Sequence, residues 1–284
     1  MLQCTLADKV QVDGIGLHTG KAVHVELRPA SVDTGVVFGF PKTSGGALVP
    51  AHVAHVVDTQ LATSIGDAKG RVQTIEHLLA ALRGVGLDNV CIAVDGDELP
   101  ILDGSAQQWL DAIDGVGVCT QDARRRVFEI LEEVDVHDGD RRVCLRPGND
   151  FRVRAAIDFE HPSVGRQSLE LVVTPESFRR EIAWARTFGF LAQVEGLRRM
   201  GLIQGGSLEN AVVFGPEGVL NPEGLRAKDE PIRHKILDMI GDLSLLGAPL
   251  KGTFEAERPG HALTRCLVEK VIANPKVWRI TYVD

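Results

Sequence analysis

The stretch IRHKILDMIGDLSLLG, residues 232–247, decides the fold because it combines the apolar spacing of a helix with a polar stripe. Its apolar residues fall on one side of the predicted helix: Ile236, Leu237, Ile240 and Leu243. On the other side His234, Asp238 and Asp242 recur at intervals of four residues, so their side chains are neighbours. Taken alone, such a stripe is more often a solvated helix face than a binding site.

The composition is that of a globular protein with an acidic balance. The chain has 284 residues, of which 44% are apolar and 25% charged, and a formal net charge of −8. This charge argues against a nucleic-acid partner. No apolar run approaches the roughly 20 residues that span a bilayer, and the N-terminus does not resemble a signal peptide. We therefore expect a cytoplasmic monomer without stable membrane insertion.

The five cysteines indicate neither disulfides nor a cysteine zinc site. Their number is odd, they are scattered, and no CxxC motif occurs. Four of them lie among apolar neighbours and are predicted to be buried, inert thiols: Cys91, Cys119, Cys144 and Cys266.

The two halves of the chain share an order of strands, helix, strand, turn and helix. In the first half the first helix is predicted at VQTIEHLLAALRGVG (72–86), the strand after it at NVCIAV (89–94) and the second helix at SAQQWLDAI (105–113). In the second half they are predicted at residues 232–247, at GTFEAE (252–257) and at GHALTRCLVEKVI (260–272). The interval from His77 to Ser105 is 28 positions and that from His234 to His261 is 27. We infer two related α+β units with the chemistry in the cleft between them.

The boundary between these units is predicted in the polar, basic segment TQDARRR (120–126), which we expect to be a solvated linker. The first domain would then span residues 1–122 and the second residues 123–284.

The helix at 72–86 carries a second polar pair. Glu76 and His77 point away from its apolar face, and Ala80 and Ala81 would let another segment approach closely. By itself the pair is more often solvent-facing.

In combination with His234 and the stripe that follows it, the pair supplies the parts of a metal-dependent hydrolase. Two imidazoles and one carboxylate leave a fourth metal position open, which is typical of catalytic zinc.

Other motifs are ambiguous by spacing. GIGLHTGK (14–21) is either a glycine-rich turn or a substrate-contacting loop, and ARTFGF (185–190) is undecided. HVAH (52–55) is interpreted as ordinary strand-like residues. GLIQGGSLENAVVF (201–214) is either a core strand with a bulge or the lining of a site for an apolar ligand.

Taken together, the motifs resemble those of the UDP-3-O-acyl-N-acetylglucosamine deacetylases of lipid A biosynthesis. The resemblance rests on GIGLHTGK, TIEHLLAAL, PILDGSA, ARTFGF, GGS and RHKILDMIGDL followed by GHAL, in order along nearly the whole chain. It implies two related α+β domains, each a mostly antiparallel sheet packed on helices, with the helices sandwiched between the two sheets. It also implies that an insert near 181–214 forms a passage for the substrate's acyl chain.

The resemblance implies a zinc ion, replaceable by Fe²⁺, with three protein ligands: His77, His234 and Asp238. It implies catalytic roles for four further residues: Glu76, Thr187, Asp242 and His261. Glu76 would be the general base towards water, and Thr187 would stabilise the oxyanion. His261, held by Asp242, would protonate the departing amine or assist the oxyanion, so the division of proton transfers stays open.

The resemblance also implies a set of substrate contacts: His18, Leu61, Phe188, Leu191, Val194, Lys235 and Arg258. Phe188 would pack on the sugar, Lys235 would lie near substrate oxygens, and Arg258 would meet the diphosphate.

The expected function is zinc-dependent deacetylation of UDP-3-O-(3-hydroxyacyl)-N-acetylglucosamine to the free amine and acetate. One alternative is a zinc amidohydrolase that acts on another N-acylated substrate. A second is a non-enzymatic binding module, because α+β units also bind RNA.

Overall fold

The structure is a computed structural model that describes residues 1–40, 48–67 and 70–282. Within these ranges, the strands before residue 125 are numbered in chain order. They are β1 (Leu2–Leu6), β2 (Val10–Ile15), β3 (Ala22–Pro29), β4 (Val36–Gly39), β5 (Leu48–Pro50), β6 (Val56–Asp58), β7 (Ser64–Asp67), β8 (Gly70–Val72), β9 (Val90–Val94) and β10 (Val118–Arg124).

The strands of the second half continue the numbering. They are β11 (Arg126–Ile130), β12 (Val134–Asp138), β13 (Arg141–Arg146), β14 (Phe151–Phe159), β15 (Gly165–Val172), β16 (Phe188–Phe190), β17 (Val212–Gly215), β18 (Gly218–Val219), β19 (Leu250–Glu257) and β20 (Trp278–Tyr282).

The α-helices are likewise numbered in chain order. They are α1 (Glu76–Gly84), α2 (Gln107–Val116), α3 (Pro175–Ser177), α4 (Leu191–Arg199), α5 (Glu230–Leu243) and α6 (His261–Ile272). Val53–His55 and Ser244–Leu246 are 3₁₀ turns, and Phe178–Ile182 is a π-helical turn. Within the described ranges, each helix is too short or too polar to cross a bilayer.

Two sheets with the same strand order form the two outer layers. The first is ordered β2-β3-β9-β4-β5, and its pairs are antiparallel except for the parallel pair β9-β4. The second contains β12-β13-β19-β14-β15, again antiparallel except for β19-β14, and β11 and β20 extend it beside β19. This shared topology confirms the predicted α+β class and the two related sheets. The division of the chain at residues 122 and 123 stays a prediction.

The helices lie between these sheets. α5 packs on β14 and β15, α6 packs on β12 and β13, and α2 packs on β2. α1 contacts both α2 and α5, so the helices of one half meet those of the other. Burial alternates along β19, as expected for a strand with one face on this helical layer.

The crossing of α1 and α5 is unusually close because both helices present small residues there. Ala80 and Ala81 are fully buried. Gly241 lies against the backbone of Glu76, and a Cβ at position 241 would overlap the Glu76 carbonyl oxygen. The polar faces of both helices are therefore turned towards each other and away from water, which makes the solvated-face alternatives wrong.

Three local predictions are wrong. The segment 120–126, predicted to be a solvated linker, is accessible to solvent but lies in strands: residues 120–124 belong to β10, which pairs with β1 at the other end of the first half, and Arg126 begins β11. HVAH is not strand-like, because the His52 ring accepts the Ala54 N–H and caps a 3₁₀ turn. Of the four cysteines predicted to be buried only Cys144 is, while Cys119 and Cys266 are exposed.

Replacing Gly241 by Ala should separate α1 from α5. The added methyl group meets rigid backbone, so we expect a loss of about 1–3 kcal/mol in the free energy of unfolding, measured by urea titration. Gly115→Ala is the matched control, since Gly115 lies in α2 with open space around its Cα. This control should gain about 0.5–1 kcal/mol. Equal stability of the Gly241→Ala variant and the wild type would contradict the close crossing.

Candidate active site

Three groups able to bind a metal meet where α1 crosses α5. His77 lies in the first turn of α1, while His234 and Asp238 lie one turn apart on α5, and their donor atoms are within 4.8 Å of one another. The Nε2 atoms of His77 and His234 are 3.5 Å and 3.2 Å from Asp238 Oδ1. The two imidazoles meet edge to face with centroids 4.9 Å apart. All three side chains are buried.

The tautomer of His234 suits a metal ligand. Its Nδ1 lies 3.0 Å from the carbonyl oxygen of Ala185, and a carbonyl can only accept, so Nδ1 carries the proton. The lone pair of Nε2 therefore faces Asp238. Lys235 Nζ binds the other oxygen of Asp238 at 2.8 Å, which leaves Oδ1 for a metal. Two imidazole nitrogens and one carboxylate oxygen fit a divalent ion with an open coordination position.

The charges of these groups also suit a cation. Burial raises the pKa of Asp238, but the neighbouring His234 and Lys235 outweigh it and hold that pKa well below its usual range. Burial lowers the pKa of His234. At neutral pH the site thus presents an ionised carboxylate and a neutral imidazole, the protonation states in which these groups bind metals.

A second hydrogen-bonded group lies beside the candidate ligands. Asp242, one turn after Asp238 on α5, accepts from His261 Nδ1 at 2.8 Å. Thr63 Oγ1 donates to the other oxygen of Asp242 at 2.6 Å, and the Thr63 N–H donates to Glu76 Oε2 at 3.1 Å. Thr63 therefore links the carboxylate of α1 to the Asp242–His261 pair.

The pKa values of Glu76 and His261 are both raised, which suits proton transfer near neutral pH. Burial raises the pKa of Glu76 to about 7, with the charge of His261 opposing it. Burial lowers the pKa of His261, but the charge and hydrogen bond of Asp242 outweigh burial and raise it to about 9. Near neutral pH the first group can accept a proton while the second still carries one. Because they interact, the two titrations belong to the pair.

Sequence reasoning missed Thr63. The residue is 1% exposed and lies in the turn before β7, in the stretch QLATS. Thr59 also lies between β6 and β7, and no spacing in this stretch marks Thr63 as the functional one. Its position follows only from the packing of this turn against α1, α5 and α6.

Three more of the predicted residues lie close to the metal-binding group. Lys235 Nζ is 5.6 Å from the ring centre of Phe188, and that ring is 6.4 Å from the imidazole of His234. The backbone of Thr187 is fixed on both sides, because its N–H donates to Gly104 at 2.7 Å and its carbonyl accepts from Val212 at 2.8 Å.

Three of the predicted substrate contacts have accessible side chains: Leu61, Leu191 and Val194. Leu61 is 50% exposed, and its φ of 63° is in the left-handed region that few non-glycine residues adopt. Leu191 and Val194 belong to α4, which has no fully buried residue. The structure therefore leaves apolar side chains accessible on this helix.

Two further predicted substrate contacts, His18 and Arg258, differ in how their side chains are held. His18 is 3% exposed, and neither ring nitrogen has a hydrogen-bond partner in the described part of the chain. Its carbonyl accepts from Gln204 at 3.0 Å, joining the glycine-rich loop to the segment after α4. Arg258 pairs with Asp158 at 2.7 Å and with Asp140.

Comparison with known proteins identifies the family. A family model described as UDP-3-O-acyl N-acetylglycosamine deacetylase matches residues 3–273. The chain belongs to this family. The resemblance seen in the motifs is thus confirmed across nearly the whole deacetylase domain.

Three relatives, each called UDP-3-O-acyl-N-acetylglucosamine deacetylase, illustrate how similar the chain is to other members. The Acidithiobacillus ferrooxidans protein is 47% identical over 278 residues, covering 97% of this chain and 91% of its own length. The Syntrophotalea carbinolica protein is 46% identical over 278 residues, with coverages of 98% and 90%. The Phenylobacterium zucineum protein is 47% identical over 282 residues, with coverages of 99% and 96%.

Thr63→Val should slow the deacetylase without unfolding it. The variant keeps the backbone donor to Glu76 but removes the hydroxyl that binds Asp242, and hydrogen bonds to charged groups contribute about 1.5–3 kcal/mol. We expect kcat to fall about ten-fold or more.

Thr63→Ser, which keeps the hydroxyl, should stay close to the wild type. Thr5→Val is the control for loss of a buried threonine hydroxyl, since Thr5 Oγ1 donates to the distant Asn89 carbonyl. A Thr63→Val enzyme with unchanged kcat would show that the hydroxyl does not act on the Asp242–His261 pair.

Proposed function

We propose that this chain is a metal-dependent N-deacetylase acting in lipid A biosynthesis. Its substrate is UDP-3-O-(3-hydroxyacyl)-N-acetylglucosamine, from which it releases acetate and leaves the free 2-amine. The observation that carries the proposal is the convergence of His77, His234 and Asp238 with an acid–base pair, in a chain that belongs to a deacetylase family. A non-enzymatic binding module is therefore rejected.

The proposed metal is Zn²⁺, with Fe²⁺ as a substitute. Two buried imidazoles and one carboxylate form a donor set that suits either ion. When bound there, a divalent ion supplies Lewis-acid activation of water and of the acetamide carbonyl.

Glu76 is assigned as the general base. Its pKa of about 7 makes the carboxylate a competent proton acceptor at neutral pH without leaving it always protonated. The Thr63 N–H holds Oε2, so Oε1 is the oxygen that takes the proton from the attacking water.

His261 is assigned as the group that protonates the departing amine. Its Nδ1–H is held by Asp242, which fixes the ring and leaves Nε2 to donate. When Nε2 gives its proton to the nitrogen of the breaking C–N bond, the sugar leaves with a neutral amine instead of a nitrogen anion. Asp242 stabilises the imidazolium before this transfer.

Thr187, Phe188 and Lys235 are assigned to the substrate around the acetamide. We assign Thr187 to the oxyanion, Phe188 to the apolar face of the sugar and Lys235 to its oxygens. Phe188 is well placed for packing because it belongs to a group of aromatic rings with centroids 5.4–6.2 Å apart: Phe159, Phe188, Phe190 and Phe214.

The accessible apolar side chains of α4 support an acyl-chain passage along this helix, with Leu191 and Val194 among its contacts, and Leu61 is assigned to the substrate. His18 is assigned to the substrate, and its carbonyl also holds the glycine-rich loop against the segment after α4. Arg258 would have to leave Asp140 and Asp158 to meet the diphosphate, so these two acids compete with the substrate for it.

The domain division at residues 122 and 123, the monomeric state and the cytoplasmic location belong to the same proposal. All five cysteines are free thiols, which fits a reducing compartment.

Acetate release from the UDP-sugar substrate tests the proposal. We expect release that chelation abolishes and added Zn²⁺ restores, and a fall of at least about 100-fold in Glu76→Gln, which loses the proton acceptor. Metal-loaded protein that releases no acetate would contradict the proposal. Equal rates with the 3-O-deacylated sugar would favour an amidohydrolase of different specificity.

The pH dependence tests the assignment of His261. The imidazole is protonated below its pKa and neutral above it, so activity that needs this proton falls as the pH rises through about 9. Asp242→Asn removes the charge that raises the pKa and leaves burial, which lowers it. The alkaline limb of kcat/KM should therefore move to lower pH by about one unit or more. An unmoved limb would show that another group sets it.

A further inference from the structure

One peptide group is held at both of its ends by α5. The carbonyl of Ala185 accepts from His234 Nδ1 at 3.0 Å. The N–H of Arg186 donates to Glu230 Oε1 at 3.1 Å. This carbonyl and this N–H belong to the same planar unit, and Glu230 and His234 lie one helical turn apart. The peptide thus connects a buried carboxylate to a candidate metal ligand.

Glu230 is itself tightly held. It is fully buried, and its carboxylate accepts from Arg186 Nε at 2.9 Å, from Arg186 Nη2 at 3.2 Å and from the Arg226 N–H at 2.7 Å. Arg186 is 3% exposed and also donates to the Gly224 carbonyl at 2.8 Å and to Glu223. Neither oxygen of Glu230 is therefore free to rotate away from the 185–186 peptide.

The buried ion pair of Arg186 and Glu230 is not readily explained by a gain in stability. Removing two charges from water costs free energy that their attraction often fails to recover, so a buried ion pair is weak evidence for a stabilising role. This pair lies at the N-terminus of α5, one turn before His234, and Thr187 follows Arg186 directly. Its position thus bears on two residues assigned to the reaction.

We propose that Glu230 is a positioning residue that acts on His234 through the 185–186 peptide. This inference rests on the proposed metal-dependent function. A negative charge at the N–H end polarises the peptide and makes the Ala185 carbonyl a stronger acceptor. That carbonyl then holds the Nδ1–H of His234 more firmly and makes Nε2 a better electron donor. The arrangement resembles the common one in which a carboxylate binds a metal-ligating histidine, except that the 185–186 peptide lies between Glu230 and His234.

The same contacts fix Thr187. Its N–H donates to the Gly104 carbonyl, so the 185–187 segment is held by α5 on one side and by the turn before α2 on the other. The carboxylate of Glu230 therefore helps to hold both the carbonyl that binds a candidate metal ligand and the residue that precedes Thr187.

Two glutamines separate this role from ordinary stabilisation. Glu230→Gln removes the carboxylate that holds the peptide. Glu223→Gln removes the other carboxylate from the same guanidinium, but the Glu223 side chain is 54% exposed and does not touch the peptide. Both variants lose one negative charge next to Arg186, so they form a matched pair.

The readouts are Zn²⁺ affinity by chelator competition and the NMR signal of the His234 Nδ1–H in metal-free protein. Glu230→Gln should bind Zn²⁺ about 10- to 100-fold more weakly, and its Nδ1–H signal should move upfield as the hydrogen bond weakens. Glu223→Gln should stay within about two-fold of the wild type and keep the signal, because outer charges contribute little.

If Glu230→Gln does not fold, Glu230→Asp supplies the same test, since it keeps the charge but withdraws it from the Arg186 N–H by one methylene. Wild-type Zn²⁺ affinity and an unmoved Nδ1–H in the folded variant would overturn the proposal. Equal weakening in the Glu230 and Glu223 variants would also overturn it and leave the pair a structural contact. Neither readout needs turnover, so absence of acetate release from the wild type would count against the proposed function alone.

Discussion

The close crossing of α1 and α5 is the constraint on which the rest of the site depends. Gly241 and the two alanines of α1 remove the side chains that would otherwise separate the helices. The short distance that results brings His77 within ligand reach of α5. It also excludes water from two polar faces. That burial raises the pKa of Glu76 to about 7, whereas Asp242 outweighs burial and raises the pKa of His261 to about 9.

The duplicated sheet supplies the frame for this crossing, but the two halves contribute different chemistry. Each half places a helix before its central strand and a second helix after it. The first half supplies one candidate ligand and the proposed base, and the second supplies the other two candidate ligands and the proposed acid. His261 begins α6, whereas the corresponding Ser105 lies in the turn before α2, where its hydroxyl donates to Asp103 and accepts from the Gln107 N–H.

The sequence predicted the site best where polar side chains recur at the spacing of a helix. His234 and Asp238 were predictable as neighbours from their interval of four, and the main helices begin and end within a few residues of their predicted bounds. Burial of these stripes was not predictable from one helix, since it depends on a partner more than 150 positions away. The same limit hid Thr63 and strand β10, whose roles come from contacts between distant segments.

The division of the ligands between the two halves ties the metal to the cohesion of the whole chain. His77 belongs to one sheet's helices, and His234 and Asp238 belong to the other's. Any opening that parts the halves would take one of the three candidate ligands from a bound ion, so its binding free energy would be added to the contact between them. A metal-loaded chain should then unfold as one cooperative unit, with the ion linking the helices of two sheets that share one strand order.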